Sequence, residues 1–169
     1  MPKATTSTRQ VPAVHAPAAA APQDVIDTLN KLIDTCADGA YGFASCADYS
    51  NISRHRTLFR QRAQDCDEAC AQLQAMVLRL GGQPTRGGLS TGMLHRGWVA
   101  VRGTLSGLRD QSILAECARG ESIALERYRR ALELDLPTEA RVLVQRQCKR
   151  VESSLSQMQQ MREVETAIA

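Results

Sequence analysis

Apolar residues recur along this chain at intervals of three and four, the spacing that places side chains on one face of an α-helix. The most regular series consists of Phe59, Ala63, Cys66, Cys70, Leu73, Val77 and Leu80. Spacings of four and three sustained over this length indicate long helices that pack nearly parallel to one another with a left-handed twist. The pattern therefore predicts a helical bundle.

Residues that start and stop helices divide the first half of the pattern into two long helices. The first begins near Asp24, which can cap the exposed amide groups, and ends near Tyr49. The second is capped by Asn51 or Ser53 and stops at the glycine pair 81–82, because glycine adopts the left-handed conformation that ends helices.

The second half of the pattern contains two more long helices. The third begins at Asp110 and ends near Glu133, and the fourth carries Pro137 in its first turn and ends near Val164. Proline is tolerated in that turn because its missing N–H has no partner in the helix there. Tight turns join the first helix to the second and the third to the fourth.

A shorter helix, opened by Ser90, is predicted between the second and third helices, in a connection long enough to travel along the bundle. Two antiparallel hairpins joined by a crossover are the ferritin-like plan. We therefore predict an all-α, ferritin-like four-helix bundle over residues 24–165, with a short crossover helix between helices two and three. In the first helix, Gly39 and Gly42 predict the close approach of a neighbouring helix.

Composition supports a helical core and limits the partners. Aromatic residues make up only 4% of the chain, whereas strands draw on aromatic and β-branched residues. The net charge of +3 is small and no basic stripe is interleaved with aromatics, so nucleic acid is not an expected partner. No apolar run approaches the roughly 20 residues that cross a bilayer, so we expect a soluble, cytoplasmic protein without membrane contact.

Residues 1–23 are rich in Ala, Pro and Thr and contain no acidic residue. Prolines and a histidine interrupt every apolar run in this segment, so it does not have the pattern of a secretory signal. We predict a disordered tail. Its Lys3 and Arg9 leave open a third hypothesis, a DNA-associated bundle whose binding would depend on salt.

Glu121 interrupts the inner face of the third helix. Apolar or small residues recur there at Leu114, Cys117, Ala124, Tyr128 and Ala131. A carboxylate in such a series is unfavourable unless it is paired, hydrogen-bonded or bound to metal. One interpretation is that Glu121 pairs with an arginine such as Arg62 or Arg146, and the other is that it binds iron.

A di-iron centre in a bundle needs a Glu from each of two helices and a Glu-x-x-His from each of the other two. The sequence contains no Glu-x-x-His. We therefore expect an arginine partner for Glu121 and no cofactor.

Several motifs resemble a bacterial family of ferritin-like four-helix-bundle proteins that is described as a domain of unknown function. The matching segments are LNKLIDTCADGAYGF (Leu29–Phe43), LFRQRA (Leu58–Ala63), QLQAMVLRLGG (Gln72–Gly82), LHRGW (Leu94–Trp98), ILAECARGE (Ile113–Glu121) and LDLPTEARVLVQRQ (Leu134–Gln147). The resemblance covers nearly everything after the tail. It implies the ferritin-like fold, but the family has no established reaction to carry over.

The same resemblance implies where a metal would bind. Asp65, Glu116 and Glu121 stand where the family has carboxylates, and they are the candidate metal ligands. Family members often have an acidic residue where this chain has Tyr41 and a histidine where it has Leu155. These departures remove a histidine ligand from the implied centre.

The six cysteines offer a second kind of metal site. Cys66 and Cys70 lie one helical turn apart, and they are the thiol candidates for a soft metal such as copper or zinc. Free cysteine is also a small buried hydrophobe in many cores, and we expect that role on the inner faces of the helices. Cys46 lies off the best stripe and is the cysteine expected to be exposed.

The histidines are expected to be structural. His55 follows the first helix and is predicted to be solvated. His95 lies one turn from Trp98 on the crossover helix, and we expect it to be hydrogen-bonded to a carboxylate.

We expect a non-enzymatic ferritin-like bundle with a structural or stress-associated role, acting through protein contacts that include a homo-oligomer. The alternative is a metal-binding oxidoreductase or storage bundle. It would hold iron at Glu121, Glu116 and Asp65, or a soft metal at Cys66 and Cys70.

Overall fold

The computed structural model of the protein describes residues 22–87 and 110–168, and the regular secondary structure in both ranges is entirely helical. The four helices are α1 (Pro22–Tyr49), α2 (Ser53–Arg79), α3 (Asp110–Glu133) and α4 (Thr138–Ile168). The predicted all-α class and the four long helices are confirmed for these ranges. The predicted tail up to residue 21, and the crossover helix with His95 and Trp98, lie outside them.

The turn between α1 and α2 is held by a residue from α3. Neither Asn51 nor Ser53 caps α2 as predicted, because Ile52 occupies the capping position and makes no side-chain hydrogen bond there. The Asp110 carboxylate instead accepts hydrogen bonds from the backbone N–H of Asn51 at 2.9 Å and of Ile52 at 3.3 Å. The Ser50 hydroxyl donates to the same carboxylate oxygen. The start of α3 is thereby fixed against the end of α1.

Glycine ends α2 as predicted. Gly81 has a φ of +78°, and the N–H groups of Gly81 and Gly82 donate to the carbonyls of Leu78 and Val77. A Cβ on Gly82 would come within 2.8 Å of the Ile26 side chain. This close contact places the end of α2 against the beginning of α1.

Neighbouring helices run antiparallel around the bundle. Arg127 donates to Thr35 across α1 and α3, while Arg54 pairs with Glu165 across the opposite ends of α2 and α4. Because α2 and α3 are each antiparallel to α1, they run in the same direction. The chain segment between Gly87 and α3 therefore connects two helices that do not form a simple hairpin.

All four helices contribute to one cluster of buried apolar side chains. Gly39 lies where α1 packs closely against α2, since a Cβ added to it would lie 3.0 Å from the Cys66 sulfur. The close approach predicted for this glycine is confirmed. Within the described ranges, the helices contain no apolar stretch long enough to cross a membrane.

Candidate functional site

The interior of the bundle contains an ion pair between α2 and α3. Glu121 is only 2% exposed and Arg62 only 7% exposed. The Nε and Nη2 atoms of Arg62 lie 2.9 Å and 2.7 Å from the Oε1 atom of Glu121. The predicted pairing of Glu121 with Arg62 is confirmed. Arg146, the other candidate partner, donates to Gln72 between α2 and α4.

Asp65 and Phe43 hold the Arg62 guanidinium in place. Arg62 Nη1 lies 3.0 Å from Asp65 Oδ2, and the guanidinium carbon lies 5.6 Å from the centre of the Phe43 ring. Burial lowers the pKa of Arg62, but the charge of Glu121 and the hydrogen bonds that Arg62 donates to both carboxylates raise it, and the net direction is upward. The centre of the bundle therefore carries a permanent cation between two carboxylates.

Glu116, the third carboxylate implied by the resemblance, is engaged elsewhere. Arg119 Nε donates to Glu116 Oε2 at 2.9 Å on the outer side of α3. This hydrogen bond, opposed by burial and helped by the Arg119 charge, lowers the pKa of Glu116. Of the three candidate metal ligands, only Asp65 and Glu121 share a partner, which is Arg62. In the part of the chain that the structure describes, no three His, Cys, Asp or Glu side chains form a group that could hold a metal ion.

A second network of buried polar groups joins all four helices. The Tyr128 hydroxyl donates to Gln147 Oε1 at 2.9 Å, and it lies 3.1 Å from the Cys36 sulfur. Since tyrosine has only one hydroxyl proton, the Cys36 thiol is the donor in the second contact. The Gln147 amide nitrogen then donates to the Ala69 carbonyl and to the side chain of Gln72. Each link of the network has a partner.

The two groups of this network that could lose a proton, the Cys36 thiol and the Tyr128 hydroxyl, are kept neutral. Burial raises the pKa of Cys36 to about 12, against the hydrogen bond with Tyr128. Burial, followed by the nearby Cys36, also raises the pKa of Tyr128 well above its ordinary value. Sequence reasoning missed this network because it treated Tyr128 as an apolar position. The position of Tyr128 in the apolar series could have indicated the network, because a buried phenol almost always needs a hydrogen-bond partner.

The cysteines are mostly core residues. Cys36, Cys66, Cys117 and Cys148 are buried on the inner faces, and only Cys70 is half-buried. Burial raises the pKa of the Cys66 thiol against the charge of Arg62. Burial also raises the pKa of Cys70, and the charges of Asp67 and Asp34 add to that increase. The two thiol candidates therefore favour the protonated form, whereas soft metals bind the thiolate.

The prediction that Cys46 is exposed is wrong. Cys46 is only 1% exposed, because the beginning of α3 packs over this part of α1 and places the Cys117 thiol beside it. Burial and this neighbouring thiol raise the pKa of Cys117 well above its ordinary value. Cys46 lies outside the main apolar stripe of α1 but is still buried, because α1 is covered on two sides.

The prediction that His55 is solvated is also wrong. Its side chain is fully buried, with Nε2 2.6 Å from Glu165 Oε1 of α4 and Nδ1 3.8 Å from Asp110 Oδ1 of α3. The ring also packs 5.9 Å from that of Phe59. The two carboxylates lie on opposite sides of the imidazole, so they join three helices and do not converge on one point.

A cavity of about 320 Å³ lies beside these polar groups, mainly between α1 and α3, and residues of α2 and α4 complete its wall. Glycines at 39, 42 and 120 form part of its wall, together with Phe43 and Ile123. Four cysteines also line it, namely Cys36, Cys46, Cys66 and Cys117. The sequence did not predict this cavity, although small residues on facing helices are the features that produce it.

One protein family matches the chain over residues 24–134, and its description is a domain of unknown function, DUF2383. No curated protein matches the sequence.

Proposed function

The chain belongs to the DUF2383 family of domains of unknown function, and we propose that it is a ferritin-like, bacterial, cytoplasmic protein that works without a resident metal. Its role is non-enzymatic, structural or stress-associated, and is carried out through protein contacts. The interior of the bundle and the direction of its helices support this proposal.

Helix direction supports the ferritin-like assignment. The end of α2 contacts the beginning of α1 through Gly82 and Ile26, whereas α3 begins beside Ser50 at the other end of α1. A bundle of two antiparallel hairpins joined by a crossover has this arrangement, and a simple up-and-down bundle does not. The motifs that resemble ferritin-like bundles support the same conclusion.

The observation that carries the proposed function is the contact between Arg62 and Glu121. A metal centre in a bundle is built from carboxylates and histidines that project inward from several helices. In this chain the inward carboxylate of α3 is bound by a guanidinium, which cannot lose its proton under ordinary conditions. Arg62 therefore provides the positive charge that a metal ion would supply.

A second copy of the chain is the proposed protein contact. Leu78 and Val142 are 58% and 57% exposed, and they lie on neighbouring helix ends that the Arg79–Glu139 pair connects. Burial of exposed leucine and valine is a main source of association free energy. Light scattering over a concentration series tests this contact: the dimer should weaken in Leu78→Asp, while a monomer at every concentration would contradict it.

Metal analysis tests the absence of a resident metal. The full chain is produced with added iron, copper and zinc, purified without chelator and measured by mass spectrometry of the elements. We expect far less than one metal ion per chain. Near-stoichiometric metal that disappears in Glu121→Ala, or in a Cys66→Ser/Cys70→Ser variant, would overturn the proposal and favour the oxidoreductase or storage alternative with ligands at Glu121, Glu116 and Asp65 or at the thiols.

A further inference from the structure

The cavity between α1 and α3 is large enough for a small organic molecule. Its volume is about 320 Å³, whereas an apolar cavity of about 150 Å³ in a protein core suffices to bind benzene. Gly120 lies at its edge on the exposed side of α3, and a Cβ added there would meet no atom within 4 Å. The cavity therefore opens to solvent beside this glycine.

The polar groups in the interior of the cavity are already engaged by the protein. Arg62 is bound by Glu121 and Asp65, and Tyr128 donates to Gln147. A ligand that formed hydrogen bonds with these groups would have to displace existing partners, and leaving a buried polar group unpaired is unfavourable. The interior is suited to a molecule that makes few hydrogen bonds.

The thiols add apolar surface to the wall. Protonated cysteine behaves as a small hydrophobe, and burial keeps Cys36 and Cys66 in that form. Together with Phe43 and Ile123, they give the cavity a soft, mainly apolar lining.

Charges are balanced at the edge of the cavity as well. Arg119 is paired with Glu116, and the charge of Arg127 acts on the Asp38 carboxylate, which also lines the cavity. An anionic ligand would have to recruit Arg150, which lines the cavity from the exposed side of α4. The lining thus carries no large excess of one charge to attract an ion.

We propose that the cavity between α1 and α3 binds an uncharged, mainly apolar small molecule of about two or three aromatic rings, which enters beside Gly120. This binding site is independent of the absence of a resident metal, and it adds a ligand to the role proposed above.

A fluorescent probe tests this site directly. The full chain is titrated with the uncharged dye N-phenylnaphthylamine, whose emission increases in apolar surroundings. Saturable binding of one dye per chain is expected. Gly120→Leu should weaken it by about tenfold or more, because the leucine side chain enters the open space at the edge of the cavity.

Ser122→Leu is the matched control. It adds the same side chain to an exposed position of α3 outside the cavity lining, and binding should equal that of the natural chain. Gly120→Leu should remain folded, since leucine is a much better helix former than glycine. Ala124→Phe fills the same cavity from one turn further along α3. Its dye affinity is a second, independent test of the binding site.

Three results would overturn the proposal. The first is the absence of saturable dye binding, and the second is equal binding in Gly120→Leu, Ala124→Phe and Ser122→Leu. The third is tighter binding of the sulfonate analogue, anilinonaphthalene sulfonate, at a site that Gly120→Leu blocks, which would assign the cavity to anions.

Discussion

Arg62 and Glu121 lie on facing helices, and two nitrogens of the arginine, Nε and Nη2, approach the same carboxylate oxygen at 2.9 Å and 2.7 Å. Both side chains are more than nine-tenths buried. A buried carboxylate without a partner would be strongly unfavourable, and attraction to a guanidinium offsets the loss of its hydration. The pair therefore explains how the inner face of α3 tolerates Glu121.

Removing Arg62 should be far more damaging than removing an exposed arginine. In Arg62→Leu the Glu121 charge stays buried without a partner, and the free energy of unfolding should fall by about 3–5 kcal/mol. Urea unfolding at neutral pH measures the loss. Arg60→Leu, at an exposed position of α2, is the control and should change stability little.

The double variant Arg62→Leu/Glu121→Leu separates loss of packing from an uncompensated charge. Replacing both partners of a buried ion pair by apolar residues is often neutral, so the double variant should recover most of the lost stability. A double variant as unstable as Arg62→Leu would contradict the assigned role of the pair.

The Tyr128 hydroxyl should contribute to stability through both of its hydrogen bonds. Tyr128→Phe removes the acceptor for Cys36 and the donor for Gln147, and it leaves two buried polar groups unpaired. We expect a loss of about 1–3 kcal/mol, measured by urea unfolding. Tyr49→Phe, at a half-buried position near the end of α1, is the matched control, and equal losses in the two variants would contradict the network.

Much of this architecture follows from local sequence patterns. The repeat of apolar residues at three and four predicts the helices because each position depends on the few residues around it. Gly81 ends α2 for a local reason too, since glycine adopts a positive φ readily. The partner of Glu121 could also be predicted from the sequence, because a carboxylate on the inner face of a helix needs a cation from a facing helix.

Burial at the ends of the bundle depends on distant residues and could not be predicted in the same way. His55 is covered by Glu165 and Asp110, which follow it by 110 and 55 residues in the sequence. Asp110 likewise replaces the predicted local cap of α2. The burial of Cys46 and the cavity beside it arise from the packing of α3 on α1, and no periodicity within α1 specifies that contact.

Thiol accessibility provides a test of this packing. With iodoacetamide at about pH 8, alkylation requires both exposure and thiolate formation. Cys70, the one half-buried cysteine of the six, should react first in the folded chain. Cys46 and the other buried cysteines should react only after unfolding in urea.

Peptide mass spectrometry identifies the alkylated residues and their rates. Cys70→Ser should remove the fast reaction and leave the slow ones unchanged. Alkylation of Cys46 in the folded chain at the rate of Cys70 would show that α3 does not cover it.

Asp38 should make the stability of the bundle depend on pH. Burial raises the pKa of Asp38 from its ordinary value of 3.8 to about 6, while the Arg127 charge opposes the change and Asp34 adds to it. Because the folded chain binds this proton more tightly than the unfolded chain, the stabilisation is fully present below about pH 4 and is lost as pH rises through about 6.

Asp38→Asn removes this ionisation, so the variant should become more stable relative to the natural chain as pH rises from about 4 to about 7. Asp38 is only half-buried, and solvent screening should limit the gain to about 1 kcal/mol. Urea unfolding of both proteins at each pH measures it, and Asp67→Asn at an exposed position of α2 controls for the loss of a negative charge. A difference between Asp38→Asn and the natural chain that stays constant over this range would show that Asp38 does not titrate there.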